Sequence, residues 1–263
     1  MKPGCAAVLW IMLACAGLTS ARLSHAAEPS ASMGISQEAT TALEQMGKSL
    51  VSKEFSFKAQ TIRVYPDDTG QHLHIFHTMK ATVRRPDRLA VHLTGDDGSE
   101  DVVYDGKTVT LASIDKKKYV TMPAAPGGIQ SMLAELMVER NVDFPLADFF
   151  ADAPSKAFLS DVQSGSQVGT TIIDGVEARH LFFSQKGGID LELWLDKTEQ
   201  ALPRRLIVTY RMLPGHPNFI ALFSDWNLTA HPGDAEFAFK PPAGMTKSEI
   251  EIQPASSSAQ GTK

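Results

Sequence analysis

Cysteine is almost missing from this chain: two of 263 residues, Cys5 and Cys15, both within the first 27. Those 27 residues read as a signal peptide, so the mature protein has no disulfide, no thiolate nucleophile and no cysteine metal ligand. A second long apolar run is missing too. Residues 6–18 are too short and too poorly flanked for a membrane span, and nothing after them is apolar enough to cross a bilayer. Basic charge is in short supply. Without Lys2 and Arg22 of the leader, 23 basic residues face 30 acidic ones, a net charge near −7. Nucleic acid and anionic membrane both need clustered Lys and Arg, so neither is expected as a partner. Catalytic signatures are absent as well: no nucleophile elbow, Walker loop, dinucleotide fingerprint or His-Glu-x-x-His helix. No catalytic residue, cofactor or metal is therefore assigned, and an enzyme is the least supported reading.

What is present begins with the leader. Met1-Lys2 is a minimal basic start, and His25-Ala26-Ala27 offers small residues for cleavage. Met12-Leu13-Ala14-Cys15 raises lipidation, but Met and Leu fit the first positions of that pattern poorly. Export by ordinary cleavage after Ala26 or Ala27 is the expectation, with a lipid anchor on Cys15 as the alternative. Residues 253–263 are rich in Ser, Ala and Gln and are expected to be a disordered tail. Residues 28–252 then read as a single domain.

Within it, residues 36–54 predict an amphipathic helix, with Ser36 as N-cap and Ala39, Leu43, Met46 and Leu50 on one face. Strands are expected over 55–65 and 72–84, then a ladder of short strands from 78 to 120 that includes 115–118. Asp105-Gly106 inside that ladder signals a hairpin, in which a two-residue primed turn needs positive φ at both positions. Pro123 to Gly128 breaks the pattern. Ile129, Met132, Leu133, Leu136 and Met137 make a helical stripe, and a second helical piece covers 145–150. Strands resume at 158–162, 167–173, 176–183 (after an Asp174-Gly175 turn), 189–196, 204–213 and 219–228. In 189–196 the leucines alternate with Asp190, Glu192, Trp194 and Asp196, so one face is expected apolar and the other wet. The fold class is α+β, mainly antiparallel β. A strongly curved, incomplete β-barrel of about ten to eleven strands is expected, with the N-terminal helix and a central helical lid in its concave face.

Five segments carry a family resemblance: Arg85-Pro86-Asp87-Arg88-Leu89, Tyr104 to Leu111, Phe144 to Phe150, Leu193 to Asp196 with Leu202 to Leu206, and Phe237 to Gly244. In this order, and over roughly residues 36–252, they resemble a family of predicted periplasmic proteins of unknown function. More distantly the chain resembles outer-membrane lipoprotein carriers and mycobacterial lipid-carrier lipoproteins. Those share a half-open β-barrel with a helical lid over an apolar cavity that takes acyl chains, and the same fold serves as a sensor domain in envelope stress. The resemblance implies a periplasmic location. It also implies an arginine inside the cavity that holds the lid closed through hydrogen bonds, for which Arg63 is the candidate here.

Other clusters read as structure. His72 and His74 share a strand face but His77 points away, which leaves a metal set incomplete. Asp96 to Asp101 suits a solvated hairpin tip better than a calcium loop. Asp190, Glu192 and Asp196 read as the wet strand face rather than as paired catalytic carboxylates. The expected function is that of an exported, monomeric, noncatalytic carrier or binding protein for an acyl-bearing lipid or lipoprotein. Its cavity and lid candidates are Met132, Leu133, Leu136, Met137, Phe149, Phe150, Leu191, Leu193 and Arg63. The alternative is an envelope interaction or sensor module that binds a partner protein through the same half-barrel.

Overall fold

Ser36 sets the start of the first helix. In the computed structural model, which describes residues 34–248, the Ala39 amide donates to Ser36 Oγ at 3.3 Å and caps α1 (Gln37–Leu50). Glu38 in the first turn and Lys48 in the last complement the helix dipole. The helix stops short of residue 54 because Glu54 is already paired with Arg84 as a strand residue. Gly47 sits where a Cβ would lie 3.0 Å from Ser155, so a larger residue would push the two helices apart by a few tenths of an ångström. The leader, Cys15 and residues 249–263 lie outside the described residues.

Six strands follow α1: β1 (Glu54–Pro66), β2 (His72–Arg84), β3 (Arg88–Gly95), β4 (Gly98–Tyr104), β5 (Thr108–Ser113) and β6 (Lys118–Pro123). The helical insert comprises α2 (Gly128–Glu139), α3 (Ala147–Phe150) and α4 (Pro154–Leu159). Then come β7 (Val162–Ile173), β8 (Val176–Gln185), β9 (Ile189–Asp196), β10 (Pro203–Tyr210) and β11 (Asn218–Asn227). A 3-10 turn (Asp234–Phe237) and a short β12 (Thr246–Lys247) close the described chain. The strands form one sheet in the order β12-β6-β5-β4-β3-β2-β1-β11-β10-β9-β8-β7. Every pairing is antiparallel except that of β12 with β6. Each half is a meander, the β1–β11 pairing is the seam, and the two ends do not meet, so the barrel stays open.

The side-chain period of two sends alternate residues of nearly every strand to one side. There Phe55, Phe57, Met79, Leu89, Leu193 and Phe223 join residues of all four helices in one buried cluster. A sheet of this width packs one face on so few helices only by curling round them, which is the expected half-barrel. Among the described residues no helix is long and apolar enough to cross a membrane.

Four local expectations are corrected. Residues 158–161 are not strand: Pro154 starts α4, where its missing N–H is no loss, the helix runs to Leu159, and β7 begins only at Val162. Residues 115–118 are mostly turn, and β6 begins at Lys118. At Asp105-Gly106 only Gly106 has positive φ, because Asp105 instead accepts from the Lys107 and Thr108 amides at 2.8 and 2.7 Å. The primed geometry occurs at Asp174-Gly175, where φ is 49° and 77° between the paired Ile173 and Val176. Finally, the outer face of β9 is not uniformly wet. Trp194 is buried with Ile173 and Ala178 and stacks on His180 at 4.0 Å, and Asp196 is 1% exposed beneath Arg204 and Thr198.

Candidate functional site

The concave face is where apolar residues from distant parts of the chain meet. Met132, Leu133 and Leu136 of α2, Phe149 and Phe150 of α3, and Leu191 and Leu193 of β9 all lie buried in the single core cluster. Their aromatic members stack into the sheet: Phe149 meets Phe223 at 5.3 Å, and Phe150 meets Phe57 at 6.1 Å. Phe57 in turn lies 4.4 Å from Trp226. The insert fills the concavity with its own side chains. Met137 is the exception among the lid candidates. It sits at the margin of the α2 stripe, 39% exposed, because the buried positions are 129, 132, 133 and 136 and the next residue rotates outward.

What fastens the insert is Arg85, at the turn between β2 and β3. Its guanidinium donates to the Leu50 carbonyl at 3.0 and 3.3 Å, to that of Phe150 at 2.9 Å and to that of Phe149 at 3.4 Å. These are the last-turn carbonyls of α1 and α3, which have no partner within their own helices. One planar fork therefore ties the N-terminal helix to the lid, with its Cζ 5.8 Å from the Phe55 ring centroid. Burial lowers the Arg85 pKa from its ordinary value and Asp152 at 3.8 Å opposes that, but a guanidinium stays charged. The next residue fastens the other end of the lid: the Ile129 amide donates to the Pro86 carbonyl at 2.9 Å. Gly128 has φ of 83°, and a Cβ there would lie 2.6 Å from the same oxygen. Arg85 escaped the sequence reading, although it opens the first segment of the family resemblance.

Arg63 has a different place. Two positions beyond buried Thr61 on β1, it stands at the mouth of the concave face with its guanidinium 5.5 Å from the Phe219 ring. It does reach the lid, donating through Nη1 to Asp143 on the loop between α2 and α3. It grips a side chain that is 60% exposed, not the lid backbone. Arg63, Val64, Tyr65, Asp143, Tyr210, Leu213, Pro217, Asn218 and Phe219 line an open pocket of about 330 Å³ here. Burial raises the Tyr210 hydroxyl pKa, the Asp143 carboxylate raises it further and Arg63 opposes both. Leu73, Leu213 and Met212 leave apolar surface exposed at the same end of the strands.

The remaining polar clusters hold structure together. His72 contacts the Gly215 carbonyl at 3.2 Å and His77 pairs with Asp97 at 2.6 Å. Among the described residues no three His, Cys, Asp or Glu side chains converge on a metal-sized site. Asp190 pairs with Arg211 at 2.7 Å, Glu192 with His180 at 2.9 Å and Asp196 with Arg204 at 3.1 Å. Each carboxylate thus has its own basic partner.

A family model described as "Predicted periplasmic protein (DUF2092)" matches residues 39–251. No curated protein matches the chain. Among solved structures, MucB matches at 17% identity over 79% of this chain, with a TM-score of 0.44. The chain spans 65% of MucB's own length. The Mycobacterium tuberculosis lipoprotein LppX matches at 14% identity, over 74% of this chain and 99% of LppX, with a TM-score of 0.45. An uncharacterized conserved protein from Thermus thermophilus matches at 12% identity, over 81% of this chain and 100% of that one, with a TM-score of 0.48.

Proposed function

The chain belongs to the family of predicted periplasmic proteins whose model it matches, and on that premise we propose a monomeric, noncatalytic carrier or binding protein for an acyl-bearing lipid or lipoprotein. The observation that carries this reading is the way the lid is held. Its apolar side chains occupy the concave face, while its backbone hangs on Arg85 and Pro86 at two points. Exposing Met132, Leu133, Leu136, Phe149 and Phe150 would cost on the order of 10 kcal/mol at about 2 kcal/mol each. An acyl chain of about sixteen carbons recovers a similar amount at about 0.8 kcal/mol per methylene. Cargo and lid are therefore matched competitors for one apolar surface, and exchange between them needs no chemical step. Met132 suits such a surface because a thioether chain repacks readily. Protein purified under native conditions should carry extractable lipid, or should bind a fluorescent fatty acid that unlabelled lipid displaces. Protein that is lipid-free and indifferent to such dyes would refute the carrier reading.

One observation favours the second reading, a module that binds a partner protein. β7 is an edge strand, bridged on its outer side only near Gly165 by Ile35 among the described residues, and its Val168 and Ile172 are exposed. Such an edge offers unpaired backbone to an added strand. Crosslinking in periplasm that yields a defined protein adduct and no lipid would favour it over the carrier.

A further inference from the structure

The mouth pocket has chemistry that an acyl-binding surface does not need. Arg63 spends one N–H on Asp143, and its remaining donors have no protein acceptor among the described residues. Its flank lies over Phe219, which fixes the direction of the fork. The Tyr210 hydroxyl, on the same pocket wall, has no hydrogen-bond partner among the described residues. Idle donors therefore stand beside apolar walls from Val64, Leu213 and Pro217.

We propose that this pocket binds the phosphate head group of an acyl lipid, which takes the place of Asp143 on Arg63 and so releases the lid loop. The proposal rests on the carrier reading and adds to it a head-group class and a trigger. A phosphate has the acceptor oxygens that Arg63 and Tyr210 can reach together, and a guanidinium fork pairs with them through parallel bonds. Asp143 is the weak point of the closed state. It is mostly exposed, its side chain has no partner but Arg63 among the described residues, and it belongs to the loop that joins α2 to α3. Competition for Arg63 thus reports head-group arrival directly to the lid. The acyl chains enter beside it, past Leu213 and Leu73.

The test measures binding of dihexanoyl phosphatidylglycerol, dihexanoyl glycerol, glycerol phosphate and inorganic phosphate by calorimetry, and follows amide exchange over residues 128–146. The wild type should prefer the charged lipid to the neutral one by about tenfold or more, the worth of one charge-assisted hydrogen bond. The charged lipid should also speed exchange in the lid. Arg63→Gln should bring the preference near one, and Asp143→Asn, which removes the competitor, should raise it above the wild-type value. These opposite movements are the signature, because loss of a merely structural ion pair would move both variants alike. A wild-type preference near one, or both variants shifting together, overturns the proposal while leaving the carrier reading in place. Glycerol phosphate or inorganic phosphate bound as tightly as the lipid assigns the pocket to a soluble ion and overturns the lipid assignment. Failure of both acyl probes to bind refutes the carrier reading itself.

Discussion

Replacing Arg85 by methionine keeps the apolar stem and removes the fork that joins α1 to the lid. The side chain is 11% exposed, so water does not replace the lost donors while the lid stays shut. Three carbonyls, those of Leu50, Phe149 and Phe150, then stand unpaired at helix ends. Hydrogen bonds from a charged donor are worth about 1.5–3 kcal/mol each, and two of these, at 3.0 and 2.9 Å, have good geometry. Allowing for non-additivity and for partial rehydration, Arg85→Met should weaken the closed state by about 3 kcal/mol, a factor of roughly a hundred in the open-to-closed ratio. Arg85→Lys, with a point charge in place of a planar fork, should fall between. Hydrogen exchange resolved along the chain is the assay. Amides of α2 and α3 should lose protection in proportion to that factor, while those of the β1–β11 seam change only as far as global stability does. Equal loss of protection in the seam and the lid would refute the idea that Arg85 is a latch and make it an ordinary core residue.

Phe57→Ala should lower stability by about 3–5 kcal/mol, read as a fall in the urea midpoint, because the ring is buried between Phe150, Phe223 and Trp226. Asp196→Ala should cost about 1–3 kcal/mol, by taking their acceptor from Arg204 and from the Thr198 amide and hydroxyl. Burial raises the Asp148 carboxyl above its ordinary value of 3.8, so the folded protein binds that proton more tightly than the unfolded chain does. Between 3.8 and the raised value, stability should therefore fall as pH rises, and Asp148→Asn should flatten that part of the stability-versus-pH curve. An unchanged slope in the variant would assign the pH dependence to other groups.

Periodicity and turn chemistry made much of the architecture readable. Ser36 capped the helix it was expected to cap, the Asp174-Gly175 turn has the φ values its residues favour, and the stripe of α2 faces the core from Ile129 to Leu136. Arg85 was unreadable for a physical reason. Its partners are main-chain carbonyls 35, 64 and 65 residues away, and a backbone oxygen has no amino-acid identity to recognise. Arg63 drew notice only through the family resemblance, and its partner Asp143 depends on where a loop crosses the mouth. Trp194 and Asp196 followed the alternation and still became buried, because neighbouring strands and the Thr198 turn cover that part of the outer face. Alternation tells which side of a sheet a residue takes, and what lies on that side is set by the rest of the chain.

The order of strands has one more consequence. β7 is one margin of the sheet and β6, edged only by the two-residue β12, lies at the other, and the chain passes from β6 to β7 through the insert. The sheet is a bow, with the β1–β11 seam at its grip and the lid as its string. A string cannot leave its seat without the limbs responding. Anything that spreads β6 from β7, a bulky guest or a strand added along β7, draws on the segment that shuts the interior, so curvature and access form one mechanical coordinate.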